Sequence, residues 1–97
     1  MNIGEPQKEA HAMAREKGWY ERERELPELI ALMHSELSEA LESWREGEEP
    51  EFYHVSGKPE GWGMELADAV IRIVDACEFY GVDLARRLTA LCLRVWG

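Results

Sequence analysis

The sequence predicts a small all-α fold, a helical bundle of about four helices completed by oligomerisation. Three observations carry this expectation. Glycines and prolines divide the chain into four stretches of helical length. In the clearest of these, apolar residues return at three- and four-residue steps, the period of a helix with one buried face. No stretch alternates apolar with polar residues as a half-buried strand would.

The first helix is expected from about Pro6, a good first-turn residue, to Lys17, with Gly18 placed to end it. The second starts near Pro27 and ends at Gly47, with Leu26, Ile30, Met33, Leu37, Ala40 and Trp44 along one face. From Gly47 to Gly61 the chain holds Pro50, Gly57 and Pro59 beside the pair Phe52-Tyr53, and reads as a loop. The third helix, Trp62 to Tyr80, is apolar over much of its circumference through Met64, Leu66, Ala67, Val70, Ile71, Val74 and Cys77. It is therefore expected to be central and packed on several sides. Gly81 suits its C-terminus, and Asp83 can cap a fourth helix. There Leu84, Leu88, Leu91 and Val95 form a narrow seam suited to a partner subunit.

A chain of 97 residues is read as one domain. A domain of that size buries a modest share of its surface, so a homodimer or homotetramer is expected. Twenty acidic against eleven basic residues give a net charge of -9, which excludes nucleic acid and anionic membranes as main partners. An acidic protein that handles phosphates needs cations. Cys77 and Cys92 sit among apolar residues at helical spacing, the pattern of buried free thiols in a reducing cytoplasm. No apolar run reaches membrane-spanning length, and the segment Met1 to Pro6 lacks the basic and apolar regions of a secretory signal. A cytoplasmic location is the expectation.

On the second helix Glu36 lies beside the margin of the apolar arc and Glu39 a little further round, while Glu42 points away to solvent. Glu65 and Asp68 repeat the three-residue spacing on the third helix, and Arg72 and Asp75 continue that stripe. One such pair is the ordinary make-up of a solvated helix face. Two pairs, one of them interrupting apolar surface, fit a shared metal site, because charge near a core is costly without a compensating ion or partner. Both readings stand on the residues alone.

The segment Ser35-Glu36-Leu37-Ser38-Glu39, followed after 25 residues by Glu65-Leu66-Ala67-Asp68, resembles the EExxE…ExxD signature of the MazG-like, all-α nucleotide pyrophosphohydrolases. Lys17-Gly18-Trp19, Leu32 to Leu41, Lys58-Pro59-Glu60-Gly61 and Tyr80-Gly81-Val82-Asp83-Leu84 extend the likeness from about Ala10 to Leu84. The resemblance implies that Glu36, Glu39, Glu65 and Asp68 hold Mg²⁺, or Mn²⁺ in its place. It also implies that a nucleoside triphosphate is cleaved between its α- and β-phosphates, giving a monophosphate and pyrophosphate. Two departures stand out. Ser35 occupies the position of the family's first glutamate, and Leu91 to Gly97 lacks the lysine and asparagine that often help hold the phosphates there. Arg86, Arg87 and Arg94 are the cations available as substitutes.

Magnesium takes near-octahedral oxygen ligands and keeps several waters, so a few carboxylates with phosphate oxygens form a suitable shell. Glu36 and Glu39 are the candidates to orient or deprotonate the attacking water. Trp19, Tyr20, His34 and Trp62 are candidates to stack on a base, and Lys17 and Lys58 to touch phosphates. Each of these also reads as ordinary packing or a solvated charge. Trp44 and Trp96 are assigned to the core or an interface, and His11 carries no sharper signal. The competing readings are a non-catalytic helical interaction module of the same fold, or a di-iron bundle. The latter needs paired Glu-x-x-His motifs, whereas only Glu51 to His54 provides one, in a loop.

Overall fold

Helix boundaries follow the punctuation of the chain. A computed structural model describes residues 3–95, with the side chain of Val95 outside the description. It contains α1 (Gly4–Glu16), α2 (Leu26–Arg45), β1 (Phe52–Tyr53), β2 (Pro59–Glu60), α3 (Trp62–Phe79) and α4 (Leu84–Val95). Pro27 occupies the first turn of α2, where a missing N–H costs no hydrogen bond. Helices α1, α2 and α3 end in the same way. In α1 the Trp19 N–H reaches the Ala14 carbonyl at 2.9 Å and the Gly18 N–H the Arg15 carbonyl at 3.0 Å. Gly47 and Gly81 repeat the paired bonds after α2 and α3. This closure needs a left-handed residue, and glycine adopts it without a Cβ penalty. Asp83 caps α4 as expected, its Oδ1 accepting the Arg86 N–H at 3.0 Å.

The fold is all-α, with one small departure from the expected loop. Phe52 pairs with Glu60 and Tyr53 with Pro59 in a two-stranded antiparallel hairpin. Aromatic residues favour extended backbone, and the turn is closed by the Gly57 N–H to the His54 carbonyl at 2.8 Å. Behind the hairpin the Pro50 carbonyl accepts the Gly63 N–H at 2.9 Å. A Cβ on Gly61, whose φ is +114°, would stand 2.5 Å from that carbonyl oxygen, so only glycine fits there. This contact fixes where α3 starts.

The residues divide into two compact units. One comprises the chain to Arg24 together with Val74 onward; the other is Glu25–Ile73. In the first, Val74 and Ala76 are buried with Gln7 and Asp75. In the second, Leu29, Ala40 and Ala69 are buried with Glu36 and Ser43. Among the described residues no large side chain is wholly withdrawn from solvent.

Three expectations are corrected. The face of α2 turned inward is Leu29, Glu36, Ala40 and Ser43, whereas Leu26, Ile30, Leu37 and Trp44 remain exposed. Periodicity located an apolar stripe correctly but could not tell it from the adjoining small-residue stripe that packs. Nor is α3 enclosed on several sides, since Leu66, Val70 and Ile71 are exposed. Cys92 is exposed, and only Cys77 is half-buried, its thiol pKa raised by burial; both are free thiols. On α4, Leu84 and Leu88 are half-buried and Leu91 is exposed. The expectations for Met1, Trp96 and the Val95 side chain lie outside the described residues. No described helix is long and apolar enough to cross a membrane.

Candidate metal centre

Two helices of the Glu25–Ile73 unit bring the sequence-predicted carboxylates together. The spacing of three within each pair turns both members toward the neighbouring helix. Oxygens of Glu36, Glu65 and Asp68 lie within 4.8 Å of one another. Glu39, the exposed fourth member, accepts a hydrogen bond from Glu65. All four predicted metal residues therefore meet at one place.

The electrostatics are those of crowded acids. Burial, the bond to Glu39 and the charges of Glu39, Asp68 and Glu36 push the Glu65 carboxyl up to about 7. Burial and the charge of Glu36 raise Asp68 as well, while Arg72 and Lys58 pull the other way. Such a cluster binds a proton or a cation more readily than an isolated carboxylate does. Glu36 is buried, and the Arg72 Nε donates to its Oε1 at 2.7 Å. The sequence had placed Arg72 on the acidic stripe without naming this role. The available signal was its position, four residues after Asp68 and one helical turn along the same face.

Lys58 belongs to the same unit, is well exposed and pairs with Glu60 at 3.5 Å. His54 also pairs with Glu60, at 2.7 Å, and Glu51 accepts the Tyr53 hydroxyl at 3.0 Å. The Glu-x-x-His motif thus contributes nothing to the carboxylate cluster. His34 is exposed, and Trp62 meets Trp44 edge-on at 6.1 Å.

The other candidates fall in the first unit. Lys17 is exposed at the end of α1, and the Arg24 guanidinium lies 4.0 Å from the Trp19 ring. Tyr20 stacks on Phe79 at 4.3 Å, and its hydroxyl donates to Asp75 Oδ2 at 2.8 Å. Burial and that bond raise its pKa. The Arg15 Nε donates to His11 Nε2 at 2.8 Å. The His11 proton therefore sits on Nδ1, which donates to Asp75 Oδ1 at 2.8 Å. The sequence reading missed this network, because its members lie as far as 64 positions apart.

No family model, curated protein or solved structure matches the chain.

Proposed function

We propose that this chain is a Mg²⁺-dependent nucleoside triphosphate pyrophosphohydrolase of the MazG-like kind, with Mn²⁺ able to serve in place of Mg²⁺. The observation that carries the reading is the meeting of Glu36, Glu39, Glu65 and Asp68, the four positions singled out by the motif resemblance. The donor set suits the ion, since every donor is a carboxylate oxygen and the acids carry more negative charge than Arg72 alone offsets. Glu36, Glu65 and Asp68 hold the cation, with Glu39 at the rim. Bound there, Mg²⁺ supplies neutralisation of the phosphates and acidification of water.

The chain's own residues then divide the work. Arg72 fixes one oxygen of Glu36, so Glu36 serves as a placed ligand and not as a base. Glu39 is exposed and accepts the proton of the attacking water, while the pyrophosphate leaves with the electron pair of the broken P–O bond. Lys58 neutralises charge on the outer phosphates. As a nucleotide-pool enzyme it works in the cytoplasm, as a homodimer or homotetramer.

The test is turnover with a panel of nucleoside and deoxynucleoside triphosphates in Mg²⁺, reading pyrophosphate release. Monophosphate and pyrophosphate in equal amounts support the reading. No release from any of them, by well-folded protein, overturns it in favour of a non-catalytic module.

A further inference from the structure

A serine or threonine inside a helix commonly returns its hydroxyl to the carbonyl four residues back. Ser35 does so to Ala31 at 3.3 Å, and Thr89 on α4 does so to Ala85 at 3.0 Å. Ser43 does not. It is 6% exposed on the inward stripe of α2, and its Oγ has no hydrogen-bond partner among the described residues. Burying a hydroxyl without a partner is unfavourable. Packing does not require one here, since Ala40, the preceding buried residue of the stripe, brings no polar side-chain atom.

The stripe is also that of the carboxylates. At about 100° per residue, Ser43 falls about 20° from Glu36 and about 40° from Glu39 round α2, one turn beyond Glu39 along it. The contacts of Glu36 with Arg72, Glu39 with Glu65 and Trp44 with Trp62 run α2 and α3 antiparallel. Helical side chains lean toward the N-terminus of their own helix. Ser43 therefore leans back toward Glu39 and the cluster. Glu65, in the first turn of α3, leans toward Trp62 and so toward the level of Ser43. The two side chains converge from opposite helices of one unit.

We infer that Ser43 is a positioning residue of the cation site proposed above, on which the inference rests: its hydroxyl donates to the Glu65 oxygen that the cation does not take. Without a cation, Glu65 is held by its hydrogen bond to Glu39, and the Ser43 hydroxyl is left over. A cation drawing on both carboxylates replaces that bond, and a ligating carboxylate is held in its aim by a hydrogen bond to its other oxygen. Ser43 is the serine of α2 placed to supply it. Ser35 is already bonded, and Ser38 is exposed, round the helix from the cluster. The buried hydroxyl thus destabilises the cation-free chain and strengthens the cation-bound one.

The test compares Ser43→Ala with Ser38→Ala, a control for the higher helix propensity of alanine. Binding is read from the loss of the free Mn²⁺ electron paramagnetic resonance signal, and stability from the melting temperature in EDTA. Ser43→Ala is expected to weaken Mn²⁺ binding about tenfold or more, while Ser38→Ala binds as the wild type does. In EDTA, Ser43→Ala should melt a few degrees above Ser38→Ala, because a buried hydroxyl without a partner has been removed. A merely structural serine gives the reverse, lower stability and unchanged binding. Unchanged Mn²⁺ affinity in Ser43→Ala, or a metal-free melting temperature no higher than that of Ser38→Ala, failure to fold included, overturns the inference and leaves the cation site standing. Absence of Mn²⁺ binding by the wild-type chain overturns the cation site and the inference together.

Discussion

Arg72 on α3 donates its Nε to Glu36 on α2 at 2.7 Å, placing the guanidinium against the most buried acid of the carboxylate cluster. Removing that donor strands a buried charge. Arg72→Met is therefore expected to lower stability by about 1–3 kcal/mol, the cost of a buried charged group losing its hydrogen-bond partner. Adding Glu36→Gln to the same chain should recover part of the loss. Urea unfolding of the two variants checks this, and a purely additive pair of effects would mean the contact carries no coupling.

The Glu65 carboxyl is pushed up to about 7 from its ordinary 4.5, mainly by burial and its bond to Glu39. A carboxyl raised on folding binds its proton more tightly in the folded state. Its stabilising contribution is thus complete below pH 4.5 and is lost as pH rises through about 7. In EDTA the melting temperature should fall across that window, and Glu65→Gln should flatten the fall. An unchanged slope in the variant would assign the pH dependence to other groups.

Tyr20→Phe removes the hydroxyl that donates to buried Asp75 at 2.8 Å while keeping the ring stacked on Phe79. His11 still donates to the other carboxylate oxygen. A loss of about 1 kcal/mol is expected, close to that of one partly buried hydrogen bond. Tyr20→Ala, which also removes the stacked ring, should cost about 3–5 kcal/mol. Thermal unfolding of both variants separates bond from ring.

Much of this architecture could be read in advance, for identifiable reasons. Gly18, Gly47 and Gly81 marked helix ends because left-handed closure is a local requirement, visible in a few residues. The three-residue spacing of Glu36 with Glu39 and of Glu65 with Asp68 likewise predicted side-by-side carboxylates. What stayed hidden depends on partners distant in the chain. The inward face of α2 is set by the small residues Ala40 and Ser43 and by the pairing of Glu36 with Arg72, so apolar periodicity pointed to Ile30 and Leu37 instead. Asp75 looked like a continuation of the acidic stripe until His11 and Tyr20, 64 and 55 positions earlier, supplied its donors.

Glu39→Gln and Asp68→Asn are each expected to lower pyrophosphate release at least about a hundredfold, with circular dichroism unchanged. Each removes one charge from the cluster without altering side-chain volume. Near-normal turnover in either variant would remove that residue from the proposed chemistry.

The proposed chemistry requires that the four carboxylates form one cation site. Melting temperature in millimolar Mg²⁺, against NaCl of matched ionic strength, tests it most directly. A cation that binds only the folded cluster should raise the melting temperature by on the order of 5 °C beyond the NaCl control. The Glu39→Gln, Asp68→Asn double variant, which leaves the Glu36 to Arg72 pair in place, should show no excess over NaCl. Equal shifts from Mg²⁺ and NaCl in the wild type, or an excess that persists in the double variant, would reduce the effect to screening of a -9 chain and contradict the claim.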